Sequence, residues 1–136
     1  MNMDIEKHLQ ELCGGNVNFL WIDYADIDYP PEAAKNGHKV CCAIKIVDDG
    51  EKDDIVMYRF AFAFCSPRDH FEKKTGRIVA LRKLYRLLTG ADQELQTLSV
   101  SKGEGMHREI HQAVRNRLKF RVAGMPRWAW DIKEGA

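Results

Sequence analysis

The sequence predicts an α+β domain, in which an antiparallel β-meander is followed by two longer helices packed on one face. Three observations predict it. Residues 56–65 alternate strictly between large and small apolar side chains, an Asp-Gly turn at 48–52 joins them to an earlier apolar run, and the later apolar residues recur at helical spacing. The chain of 136 residues, 45% apolar and 30% charged, fits a single globular domain spanning 1–136.

The first predicted elements are a short helix and a strand. A helix over 4–12 stops at Gly14 and Gly15, because glycine adopts the left-handed conformation that ends helices. Residues 17–24 are apolar on both faces of a strand, and the proline-containing segment 29–37 is a loop. The chain therefore enters the meander through its first strand at about residue 17.

Two further strands complete the predicted meander. The second strand covers 39–47, and the turn at 48–52 reverses the chain because Asp and Gly tolerate left-handed angles. In the third strand, small residues occupy one face, which predicts that a helix packs closely against it. The large side chains of the opposite face are Val56, Tyr58, Phe60, Phe62 and Phe64.

The second half of the chain is predicted to be helical. A helical turn begins with Ser66 as N-cap and pauses at Thr75-Gly76, and a longer helix then ends at Gly90. A glycine-containing loop over 101–105 leads into the last helix, and the alternating tail 128–132 would add an edge strand or pack against the core. The apolar stripes of the two helices are Ile78, Leu81, Leu84, Tyr85 and Leu88, then Ile110, Ala113, Val114 and Leu118.

Charge is distributed unevenly along the chain. Residues 1–58 carry twelve acids and five bases, a net −7, whereas residues 59–136 carry eight acids and sixteen bases, a net +8. Such a chain offers its basic half to an anion, or pairs its two halves across a subunit contact. No apolar run approaches the roughly 20 residues of a membrane span, and the acidic N-terminus is unlike a secretory signal, so a cytoplasmic protein without a membrane partner is expected.

Phosphate ligands are predicted on the two helices and on the loop before the second. Arginine suits phosphate because its planar fork makes two hydrogen bonds, and glycines before a helix let backbone amides approach an anion. Phe71 and Tyr85 are the candidates for stacking a base. Arg117 falls on the apolar stripe of its helix and therefore needs a partner. The phosphate candidates are Arg77, Arg82, Lys102, Gly103, Gly105, His111, Arg115 and Arg117. The alternative is that these residues form ordinary solvated helix faces.

Enzyme chemistry has weaker support in the sequence. His107 and His111 share a helix face but lack a third ligand, so no metal site is predicted. Asp23, Asp26 and Asp28 follow a strand, an arrangement that would suit a Mg²⁺-dependent nuclease, although such residues more often cap turns. The four cysteines are expected to be buried free thiols. No catalytic residue and no cofactor is therefore assigned.

Residues 62–71 and 76–81 resemble small accessory proteins of tailed bacteriophages, in which a Phe-Cys-Ser-Pro-x-Asp segment leads into a Gly-Arg-x-x-Ala helix. The whole plan resembles the phage anti-Thoeris proteins that sequester cyclic ADP-ribose signals. That resemblance implies an antiparallel sheet with two long helices, assembly into dimers or larger oligomers, and ligands held near subunit contacts by arginines and an aromatic residue. The resemblance also implies that the ligand is bound without being cleaved.

The expected function is therefore that of a phage anti-defence protein in the cytoplasm of the host cell. It would bind a small phosphorylated nucleotide signal, a cyclic nucleotide or cyclic ADP-ribose, and hold it without cleaving it. A homo-oligomer is expected, with the arginines of the two C-terminal helices converging on a shared pocket. The alternatives are a nucleic-acid-binding phage protein and the Mg²⁺-dependent nuclease.

Overall fold

A computed structural model of the chain describes residues 4–27, 37–64, 72–90, 97–103 and 105–124. Four strands form one antiparallel sheet in the order β1-β2-β3-β4, which is a meander. The predicted fold class, an α+β domain with two longer helices that pack against the sheet, is confirmed. The elements are α1 (Ile5–Leu12), β1 (Asn18–Asp23), a 3-10 helix (Tyr24–Ile27), β2 (Lys39–Asp48), β3 (Ile55–Ala63), α2 (Lys73–Leu88), β4 (Thr97–Ser101) and α3 (Met106–Gly124).

Helix α1 begins and ends as its sequence predicts. The Asp4 side chain accepts a hydrogen bond from the backbone N–H of Lys7, which caps the first turn. Gly14 and Gly15 follow the helix with φ of 85° and 76°, angles that other residues adopt only at a cost. The Lys45 ammonium of β2 donates to the carbonyl of Gly15 at 2.9 Å, so the helix end is tied to the sheet.

Each face of the sheet carries its own apolar core. On the face of the large β3 side chains, the core includes Phe60, Phe62 and, from α3, Val114 and Leu118. On the small-residue face, Ala61 packs with α1 and α2. The fold differs here from the expected packing on one face, because α2 and α3 cover opposite faces. Since β2 and β3 are apolar on both sides, each side needs a helix to exclude water.

Helix α2 lies close against the small-residue face, as the β3 pattern predicts. A Cβ added at Gly76 would lie 3.5 Å from the Trp21 ring and from the Cys41 Cβ, which is van der Waals contact. The helix backbone therefore packs closely against the sheet. The predicted pause at Thr75-Gly76 is wrong, because α2 runs without interruption from Lys73 to Leu88. Tertiary packing here outweighs the low helix propensity of glycine. The predicted N-cap at Ser66 lies outside the described residues.

Strand β4 is an element that the sequence pattern did not predict. It pairs antiparallel with β3, from Ile55 opposite Ser101 to Arg59 opposite Thr97. Of its five residues only Val100 is buried, so the segment carries too little apolar alternation to be recognised. The tail at 128–132, expected as an edge strand, lies outside the described residues.

Candidate nucleotide-binding site

The predicted ligands on α2 take two different roles. Arg77 forms a two-pronged ion pair with Glu6 of α1: its Nε binds one carboxylate oxygen and its Nη2 binds the other at 3.3 Å. The hydrogen bond to Glu6 is the main reason that the pKa of Arg77 is raised above its usual value. Arg77 therefore fastens α2 to α1. Arg82 is exposed, and Tyr85 is half-buried against the small-residue core.

The predicted ligands near α3 lie on its solvent side and in the preceding loop. Lys102 is exposed, and its backbone N–H donates to the carbonyl of Asp54 at 2.8 Å. Gly103 and Gly105 have φ of 144° and 82°, which only glycine adopts readily. One flank of α3 carries a row of exposed basic residues at one-turn spacing, here called the basic flank. Its members are Arg108, His111, Arg115 and Lys119.

The sheet separates these two groups of residues. Arg77 and Arg82 belong to the helix on the small-residue face, whereas His111 and Arg115 belong to the helix on the opposite face. Within the described part of one chain, these predicted ligands therefore lie on helices that cover different faces of the sheet. The physical reason is that a meander with two apolar faces places its two covering helices on different sides.

Other basic side chains of the two helices are related electrostatically, because the charge of Arg121 on α3 acts on Lys83 of α2. The Arg117 Nη2 donates to the carbonyl of Thr97, the first residue of β4, at 3.1 Å. The Arg121 guanidinium lies over the Phe64 ring, 5.7 Å from its centre. We call Lys83 of α2 together with Arg117 and Arg121 of α3 the edge cluster, because both arginines contact the end of a strand.

The pKa of Lys83 is lowered by its surroundings, which include Arg121. Loss of hydration is the main cause that lowers the pKa of its ammonium, and the positive charge of Arg121 lowers it further. Part of the Lys83 side chain nevertheless remains exposed to water, which screens its charge. Two cations, one from each long helix, therefore lie near each other.

An exposed aromatic residue lies on α3 beside these arginines. Phe120 is 83% exposed, far more than the other exposed large apolar side chains of the described residues, which lie between 40% and 50%. It follows Arg117 by three positions and Asn116 by four, so it neighbours each of them on the helix surface. The Asn116 Oδ1 accepts a hydrogen bond of 3.1 Å from the Gln112 Nε2.

Sequence reasoning did not select Lys83, Arg121 and Phe120 as site residues, although Lys83 is one of the basic residues of α2 and Phe120 one of the aromatic residues close in sequence to the basic groups. Arg121 follows Arg117 by four positions, so the two arginines share one side of the helix, and that spacing was the available signal. Nothing in the sequence indicated that Lys83 lies near Arg121, because that proximity depends on how the two helices pack on the sheet. Phe71, the other predicted stacking residue, lies outside the described residues.

The nuclease alternative gains little from the geometry. Asp23 pairs with Lys39 across the β1–β2 ladder at 3.7 Å, and Asp26 lies in the 3-10 helix. Asp28 lies outside the described residues. Within the ranges that the structure describes, no three His, Cys, Asp or Glu side chains are grouped to hold a metal ion.

The cysteines of the described part are buried free thiols, as expected. They are Cys13, Cys41 and Cys42, and Cys65 lies outside that part. Burial raises the pKa of all three thiols, that of Cys41 to about 12. Because the thiolate is the reactive form, these groups do not act as nucleophiles near neutral pH.

Comparisons with known proteins add no relative. No family model matches the chain, and searches among curated proteins and among solved structures found no match. The described helices include none with the length and apolar character that crossing a membrane requires. The resemblance to phage proteins consequently stays a prediction from the sequence.

Proposed function

We propose that this protein binds a small phosphorylated nucleotide signal and holds it without cleaving it. The observation that carries the proposal is the edge cluster, where Lys83, Arg117 and Arg121 bring positive charge together from both long helices. A phosphate group placed there would accept charge-assisted hydrogen bonds from these side chains. The resemblance to anti-Thoeris proteins supplies the biological role, sequestration of a cyclic nucleotide or cyclic ADP-ribose by a phage protein in the host cytoplasm.

Sequestration requires tight binding, and a second copy of the chain would help to provide it. Nanomolar affinity corresponds to about −12 kcal/mol. An open sheet edge leaves a ligand partly hydrated, whereas an enclosing subunit would exclude water and strengthen each phosphate contact. The chain has complementary surfaces for such an assembly, because the β2–β3 turn exposes acids opposite in charge to the basic flank. These acids are Asp48, Asp49, Glu51, Asp53 and Asp54.

A release experiment tests the proposal directly. The purified protein is incubated with a panel of cyclic nucleotides and ADP-ribose isomers, separated from free ligand, and heated to release its contents for mass spectrometry. Recovery of one intact compound is the expected result. Altered products would indicate catalysis, and protein that releases nothing would contradict sequestration.

Two variants connect that result to the edge cluster. Arg121→Gln removes one of the clustered charges, and we expect it to release at least tenfold less ligand, the loss of one charge-assisted contact of about 1.5–3 kcal/mol. Lys7→Gln removes the same charge from an exposed position of α1 and serves as the control. Equal release by the two variants would place the ligand elsewhere.

Nucleic-acid binding is the second candidate, and the basic flank favours it. Arg108, Arg115 and Lys119 form an exposed row along a helix, which fits an extended phosphate backbone better than an enclosed small molecule. Binding of this kind weakens steeply with salt, and the slope falls by about one for each phosphate contact removed. Salt-dependent binding of long strands by a protein that retains no cyclic nucleotide would select this candidate, and Lys119→Gln would then reduce the slope.

A further inference from the structure

The small-residue face of the sheet is covered by helices along only part of its length. Lys45 of β2 and Arg59 of β3 lie opposite each other on this face, and each binds the end of a helix. Lys45 donates to the Gly15 carbonyl that follows α1, and the Arg59 Nη1 donates to the Leu87 carbonyl near the end of α2 at 3.0 Å. Both helices therefore end near this pair of residues, while the sheet continues beyond it to the β2–β3 turn.

Beyond that pair, the same face carries exposed apolar side chains. Met57 and Ile55 continue the alternation of β3 toward the turn, and Val47 adjoins Asp48, the residue opposite Met57. The three apolar side chains are 40% to 41% exposed, so the described helices leave them open to water. We call Val47, Ile55 and Met57 the open apolar patch.

The turn beside the open apolar patch is acidic. Residues 48–54 contain five acids and one base, and all five acids are exposed. The side chains of Asp48, Asp49 and Asp53 each accept a hydrogen bond from a backbone N–H of the turn, which holds their charges in place. An apolar centre with an acidic rim suits a partner that offers an apolar side chain among bases.

Helix α3 of a second copy offers that combination. Phe120 is the most exposed of the large apolar side chains in the described part of the chain, and it directly follows Lys119 of the basic flank. The charged residues of α3 are five bases and one acid. Two turns facing each other would bring acids together, and two α3 helices would bring bases together. Charge therefore favours contact between the two unlike surfaces.

We propose that α3 of one chain docks on the open apolar patch of a second chain, with Phe120 against the patch and the basic flank beside the acids of the turn. Because the contact joins two different surfaces, each chain can bind a further copy, and the assembly is a ring or an extended chain. This gives the second copy invoked for the proposed function a defined contact. The contact itself needs no bound nucleotide.

Variants of the two surfaces test the contact by sedimentation velocity at about 50 mM salt, where charges are weakly screened. Met57→Lys places a cation on the open apolar patch, and Phe120→Glu places an acid on the docking helix. Ile46→Lys is the matched control for the first, because Ile46 is also exposed but lies opposite Tyr58, on the other face of the sheet. Ile5→Glu, which places an acid at an exposed apolar position of α1, is the control for the second.

We expect the wild type to associate as its concentration rises. Met57→Lys and Phe120→Glu should each associate at least tenfold more weakly, roughly the loss of one interface anchor. Ile46→Lys and Ile5→Glu should associate like the wild type. A mixture of Met57→Lys with Phe120→Glu should recover the association, because the first chain keeps an intact α3 and the second an intact patch.

Three results would overturn the contact: a wild type that stays monomeric, an equal effect of Ile46→Lys and Met57→Lys, or a mixture of the two weakened variants that does not associate. Circular dichroism checks that each variant is folded. Arg115→Glu replaces Phe120→Glu, and Glu51→Lys replaces Met57→Lys, where the first choice is unfolded. A monomeric wild type that still retains a nucleotide would leave the proposed function standing, whereas an associating wild type that retains none would leave only this contact.

Discussion

Lys83 is the residue whose chemistry depends most directly on its neighbours. Its pKa is lowered by loss of hydration and by the charge of Arg121, so more of its amine is neutral at a given pH than in an ordinary lysine. The neutral amine is the nucleophile that reacts with acetic anhydride. At about pH 8.5, below the ordinary lysine pKa of roughly 10.4, we therefore expect this reagent to modify Lys83 faster than Lys7 or Lys119. Peptide mass spectrometry over a time course measures the rates.

A bound phosphate would change this reactivity in a known direction. A nearby anion favours the charged ammonium and raises the pKa of Lys83, so the nucleotide recovered by release should slow its modification. Lys7 and Lys119 serve as internal controls in the same digest. Modification of Lys83 at the same rate as Lys7, with or without ligand, would show that the edge cluster does not perturb it.

Arg77 illustrates a residue whose chemistry suits phosphate but whose contacts are structural. Glu6→Gln removes the charge that pairs with it, at a site where both side chains are only partly exposed. We expect the free energy of unfolding to fall by about 1 kcal/mol, a typical value for a hydrogen-bonded ion pair near the surface. Urea denaturation measures it.

Ligand affinity distinguishes the two roles of Arg77. If it only joins α1 to α2, Glu6→Gln should bind ligand like the wild type, because the edge cluster is intact. A variant that binds several-fold more tightly would mean that Arg77, once released from Glu6, reaches the phosphate, and Arg77 would then belong to the site.

At the scale of elements, the contact between α2 and the sheet depends on Gly76. Gly76→Ala should raise the free energy of unfolding by about 0.5–1 kcal/mol, because alanine favours the helix and its Cβ would make ordinary contacts at 3.5 Å with Trp21 and Cys41. Gly76→Leu places a branched side chain in the same space and should lower it by about 1–3 kcal/mol. Midpoints of urea unfolding compare the two variants, and stabilisation by leucine would contradict the close packing.

The elements also show what the sequence can predict. The alternation along β3 predicted the strand, its two faces and a closely packed helix, because a period of two has one structural meaning. The choice of face for each helix depends on connections that carry no such pattern. The same limit applies to the site. Arg117 was expected to need a partner because it falls on the apolar stripe, but it is exposed and donates to the Thr97 carbonyl. The proximity of Lys83 to Arg121 joins two different helices, and no sequence pattern indicates it.

At the scale of the whole molecule, the separation of charge is the property that bears on assembly. The acids of the β2–β3 turn and the bases of α3 lie on different elements, and we propose that the acids of one chain pair with the bases of a second chain. Exposed charges are screened over about 8 Å at physiological ionic strength. An assembly held partly in this way should therefore dissociate as salt is added.

Asp49→Asn with Glu51→Gln tests the acidic side of that contact without disturbing the turn. The Asp49 Oδ1 accepts a hydrogen bond from the backbone N–H of Glu51 at 3.2 Å, and asparagine keeps the same acceptor. We expect sedimentation velocity at 50 mM salt to show an assembly of the unaltered chain that the double variant forms at least tenfold more weakly. Lys7→Gln, a charge change on α1, should assemble normally.

Because enclosure strengthens phosphate contacts, the double variant should also retain less nucleotide, although it lacks no residue of the edge cluster. A monomeric wild type that still holds its nucleotide tightly would show that one chain encloses the ligand alone.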